Sequence, residues 1–161
     1  MLLLRVFTPY VLFNIILVFS FSVTINSFVQ IQNINIIFYI IFHLTFIYFL
    51  FYKYHYSLFI IGFIYGILLD IFLINEIGSH LITFLILIIL YTQLKKYLFQ
   101  LNSFQISITV FVTLNIILIS ELVFAFLIND IYFNFFQVIK YIVISFILLV
   151  PSLFVLNKID N

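Results

Sequence analysis

Asp70, Glu121 and Lys140 are ionisable residues set inside long apolar stretches, and His43 and His80 lie in similar surroundings. A charge in such a place is unfavourable unless it is buried with a partner, so each one marks a site or a structural pair. Paired aspartates could carry intramembrane hydrolysis, but only Asp70 and Asp130 lie within or at the mouth of an apolar run, and Asp130 has no motif around it. Ser79 follows Gly78 and precedes His80, yet neighbours in sequence point apart on a helix or turn, which is poor geometry for a serine nucleophile and its base. His43, His55 and His80 fall at different depths, which disfavours a shared metal ion. The chain has no cysteine, so thiol chemistry and disulfides are excluded. There is no phosphate-binding glycine loop. No enzyme, metal or cofactor is expected. The polar set His43, His80, Glu121 and Lys140 is expected to face the interior of a bundle together with Asp70. Lys140 either pairs there with Asp70 or Glu121, or extends to lipid headgroups.

The three glycines of the chain, Gly62, Gly66 and Gly78, fall within one short segment, Gly62-Phe-Ile-Tyr-Gly66-Ile-Leu-Leu-Asp70 followed by Gly78. Residues four apart share a helical face, so Gly62, Gly66 and Asp70 form one stripe. Two glycines at that spacing let another helix approach closely. The stripe serves either packing within the chain or docking of a partner's helix. Gly78, after Asn75 and Glu76, reads as a turn residue with positive φ.

The elements that position these residues are read from apolar runs. A helix needs roughly 17–25 apolar residues to cross a bilayer. Spans are expected near 8–28, 36–52, 57–74, 80–94, 104–128 and 136–156, with breaks at clusters such as Gln30–Asn35 and Lys53–His55. The first, after Arg5, lacks a small-residue cleavage site and reads as an uncleaved span. The fourth is short for a crossing and would borrow a turn from its flanks. Arg5, Lys53, Lys95, Lys96 and Lys158 fall on alternate connections, which places both ends on the cytoplasmic side of an even number of helices. The expected fold is therefore all-α: a single transmembrane bundle over 1–161.

Composition agrees. The chain is 67% hydrophobic and 7% charged, with a mean hydropathy of +1.41. A water-soluble domain of this size leaves too much of its chain at the surface to hide so much apolar area. The net charge is +1, and no basic run exceeds Lys95-Lys96, so no nucleic-acid partner is expected. Phe (24) and Tyr (11) are abundant and Ala125 is the only alanine, a bias that makes any single aromatic uninformative.

The string GFIYGILLD, then Gly78, then an apolar helix ending in Lys95-Lys96, resembles the rod shape-determining MreD family of small bacterial inner-membrane proteins. Gly62, Gly66, Asp70 and Gly78 match the family's pattern, and the resemblance covers roughly residues 60–98. Asn75 and Glu76 stand where relatives often have small residues. The resemblance implies a non-enzymatic scaffold of the cell-elongation complex that builds lateral peptidoglycan. It implies as partners an MreC-like single-span protein and, directly or indirectly, the MreB filament and peptidoglycan synthases. It further implies an architecture like that of the substrate-binding subunits of vitamin transporters. The alternative function is a small-solute-binding membrane subunit of a transporter, for which the buried polar set would line the pocket.

Overall fold

The computed structural model of the chain describes residue 16 and residues 32–52, 58–71, 78–98, 100–130 and 134–160. The expected span 8–28 lies outside the described residues except for Ile16, which is helical and exposed. The described residues form α1 (Gln32–Tyr52), α2 (Leu58–Leu69), α3 (Ser79–Leu98), α4 (Ser103–Asn129) and α5 (Phe135–Asp160). The fold is all-α, with no strand among the described residues.

Helix α4 begins and ends for local reasons. At the start of α4, the Asn102 side chain accepts from the Gln105 N–H (2.9 Å) and the Gln105 side chain accepts from the Asn102 N–H (3.0 Å), a reciprocal cap. At its far end Asp130 adopts φ 53°, and its N–H turns back to the Ala125 carbonyl. Helix α3 runs 20 residues, longer than the expected 80–94, because the polar turn around Lys95 and Lys96 stays helical. Helix α2 has 12 regular residues followed by a wide π-type turn at 70–71; positions 57 and 72–74 of the expected span lie outside the described residues. At 1.5 Å per residue α2 is roughly 18 Å long, less than the ~30 Å of a hydrocarbon core.

Helix α1 is the centre. Residues 42–50 are all buried, as in a helix surrounded on every side. One face of α1 (Phe42, Phe46) joins Tyr65, Leu69, Phe84 and Ile88 of α2 and α3. The other (Ile36, Ile40, Leu44, Ile47) joins Val110, Leu114 and Leu149 of α4 and α5. Helix α2 packs chiefly on α3, and α5 lies along α1.

The outer surface is inverted relative to a water-soluble bundle. Ile108, Val112, Ile116 and Val123 of α4 are exposed, as are Val143, Phe146, Val150 and Phe154 of α5. His43, Asp70, His80 and Glu121 are buried instead. Two helical stretches, Phe104–Ile128 and Val138–Leu156, are long and apolar enough to cross a membrane; Ile36–Tyr52, Leu58–Leu69 and Ser79–Leu94 are shorter. Pro151 sits within α5.

Candidate functional site

The glycine stripe of α2 faces α3. A Cβ on Gly66 would lie 2.4 Å from the Leu81 Cα and 2.9 Å from its backbone nitrogen, so the two backbones touch there. A Cβ on Gly62 would meet the Ile88 Cδ1 at 2.5 Å, the movable end of a side chain. The face read from sequence as a groove is thus filled by α3 of the same chain, and a partner helix laid on Gly62 and Gly66 would have to displace it. Close approach of this kind forfeits no packing volume and brings main-chain dipoles together.

That approach places Asp70 at the start of α3. Gly78 occupies the capping position, since its carbonyl accepts from the Ile82 N–H at 2.9 Å. Having no side chain, Gly78 cannot satisfy the orphan N–H groups of the first turn. Asp70 does so from the neighbouring helix. Its Oδ2 accepts from the N–H groups of Gly78 (2.7 Å) and Leu81 (3.2 Å), and its Oδ1 from the His80 N–H (2.8 Å). The Ser79 hydroxyl also donates to Oδ1, at 3.3 Å. A carboxylate here additionally meets the positive end of the α3 dipole. Gly78 itself has φ +156°, a conformation that side chains disfavour.

The cap opens into a longer buried network. His80 Nδ1 lies 2.7 Å from Asp70 Oδ1, and His80 Nε2 lies 3.2 Å from the Tyr39 hydroxyl. Tyr39 donates through a short hydrogen bond to Glu121 Oε2. Glu121 Oε1 is 2.9 Å from His43 Nε2, and His43 Nδ1 is 2.8 Å from the Tyr39 carbonyl. Helices α1, α2, α3 and α4 are therefore joined through five side chains. The His43 ring is held between Phe84, with ring centroids 5.4 Å apart, and Tyr39, at 4.3 Å. Asp70 is 0% and Glu121 2% exposed, and His43 and His80 are buried with them, while Tyr39 is half-buried.

These contacts correct the expected pairing of Lys140. Asp70 and Glu121 take His80 and His43 as their ionic partners, whereas Lys140 stands on the exposed side of α5. His55 lies outside the described residues. Ser79 and His80 do come within 3.4 Å, but through His80 Nδ1, which also faces Asp70 at 2.7 Å; this leaves the serine without the free base a nucleophile needs. No group of three or more His, Cys, Asp or Glu placed to hold a metal ion occurs among the described residues. Tyr39 was invisible among so many tyrosines; its signal was the spacing to His43, four residues on and therefore on the same helical face.

Comparison with family models, curated proteins and solved structures finds no significant match.

Proposed function

We propose that the chain is a multi-pass protein of the bacterial inner membrane that serves as a non-enzymatic scaffold in the cell-elongation complex. In this reading the first span and α1–α5 make six helices with both termini cytoplasmic. The observation that carries the membrane placement is the inversion of polarity: large apolar side chains cover α4 and α5, while the ionisable residues are buried and hydrogen-bonded to one another. Lipid tolerates the first and requires the second. Helix α2 fits such a setting despite its length, because Asp70, in the wide turn that follows it, is buried and engaged on the start of α3.

The scaffold role rests on the resemblance to the MreD family through Gly62, Gly66, Asp70 and Gly78. Since α3 covers the glycine face, an MreC-like transmembrane helix would dock on the outward apolar rim. A solute-binding transporter subunit is the less favoured reading, because His43, Asp70, His80 and Glu121 spend their hydrogen-bonding capacity on each other and on main chain. Affinity capture from detergent-solubilised membranes of the native host tests the proposal. Co-elution of a single-span, coiled-coil protein with wall-elongation components supports it. Rod-shaped growth unaffected by loss of the chain, with no such protein captured, would overturn it.

A further inference from the structure

Resting on the membrane placement above, we propose that the turn joining α3 to α4 is a platform at the cytoplasmic headgroup layer that binds anionic phospholipids in preference to zwitterionic ones. Lys95 and Lys96 form the one adjacent basic pair of the chain, and from Ile77 to Ser120 there is no Asp or Glu to offset them. On the expected cytoplasmic side only Asp160 is acidic, against Arg5, Lys53, Lys95, Lys96 and Lys158. A phosphate-bearing surface of net negative charge complements that excess.

Exposure along the two helices puts the turn at headgroup depth. The outer face of α3 is apolar at Ile86, Ile89 and Leu90 and changes at Thr92 and Gln93, which are exposed and polar. On α4 the exposed residues pass from Gln105 to Ile108, Val112 and Ile116. The polar boundary therefore crosses both helices near their linked ends. From Thr92 to Leu98, α3 continues for roughly 9 Å, comparable to the ~5–8 Å of one headgroup layer. Two large rings stand in this zone with little cover: Tyr97 is 69% and Phe104 73% exposed. Aromatic rings are favoured where acyl chains meet headgroups, and the exposed Lys96 is next to Tyr97 in the chain. The turn is also preformed. The Gln100 N–H donates to the Tyr97 carbonyl and the Leu101 N–H to the Leu98 carbonyl, both at 3.2 Å, and the reciprocal Asn102–Gln105 cap follows at once. A lipid that binds here has little main chain to order.

The test uses the absence of tryptophan from the chain. Tyr97→Trp puts a single fluorophore on the platform of the full chain, and Phe126→Trp puts one on the exposed surface near the other end of α4. Each variant is reconstituted in phosphatidylcholine vesicles holding a rising fraction of brominated phosphatidylglycerol or brominated phosphatidylcholine, whose bromines quench a neighbouring indole. At Tyr97→Trp the anionic lipid is expected to associate about fivefold more strongly for each lysine that contributes. Lys95→Gln with Lys96→Gln is expected to bring the two lipids level, and Phe126→Trp to show no preference. Inorganic phosphate is expected to relieve quenching no more than sodium chloride of equal ionic strength. Equal quenching by the two lipids at Tyr97→Trp overturns the proposal even if the lysine variant fails to fold. So does a preference that survives loss of both lysines, one that appears equally at Phe126→Trp, or specific competition by free phosphate. A failure of the membrane placement would look different, since neither lipid would then quench at either position.

Discussion

At the scale of single residues, Gly66 and Asp70 fix how α2 meets α3. Alanine at Gly66 would press its Cβ onto the Leu81 main chain, which has no room to yield, whereas alanine at Gly62 meets only the Ile88 side-chain tip. Overpacking of this sort costs about 1–3 kcal/mol, and Gly66→Ala is expected near the upper value and Gly62→Ala near or below the lower. Unfolding in mixed micelles by increasing SDS should rank them so; equal losses would show that the backbones do not touch. Asp70→Ala removes the acceptor for the first turn of α3 and leaves the buried His80 ring without its partner, a change expected to destabilise by about 3–5 kcal/mol. Asp70→Asn keeps one acceptor oxygen and should lose less in the same titration. The sequence marked Gly62, Gly66, Asp70 and Gly78 as a set because their spacing is local. It did not show that Asp70 caps α3, since that depends on how the chain returns between the two helices.

At the scale of the helix, the termini were set by chemistry that apolar runs report only approximately. The expected 104–128 and the observed Ser103–Asn129 agree closely because Asn102 and Gln105 cap one end and Asp130 turns the other. Within the expected 57–74, regular helix covers 58–69 and widens at 70–71, a distinction that an apolar run does not report. Asp130, at φ 53°, holds a conformation that glycine adopts freely. Asp130→Gly is expected to stabilise the protein by about 0.5–1 kcal/mol, and Asn102→Ala to weaken it by about 1 kcal/mol through the lost cap. Thermal melting in detergent checks both, and a destabilised Asp130→Gly would mean that the aspartate makes a contact worth more than its strain.

At the scale of the whole molecule, apolar side chains are exposed on α4 and α5 while ionisable ones are buried. The composition disclosed an apolar exterior directly, since so few polar residues cannot cover a protein of this length. What it left open was the partner of each buried charge. Lys140 was the obvious cation by charge alone, yet the histidines reach Asp70 and Glu121 because α1 and α3 carry them into the bundle while α5 turns Lys140 outward. If lipid is the solvent, the chain should remain in membrane pellets after alkaline carbonate extraction. The most direct measurement is the side of the membrane on which the two termini lie, read by reporters fused to each end in intact cells and in permeabilised ones. The account predicts that both reporters are reached only from the cytoplasm; reporters on opposite faces would contradict it, and with it the six-helix arrangement.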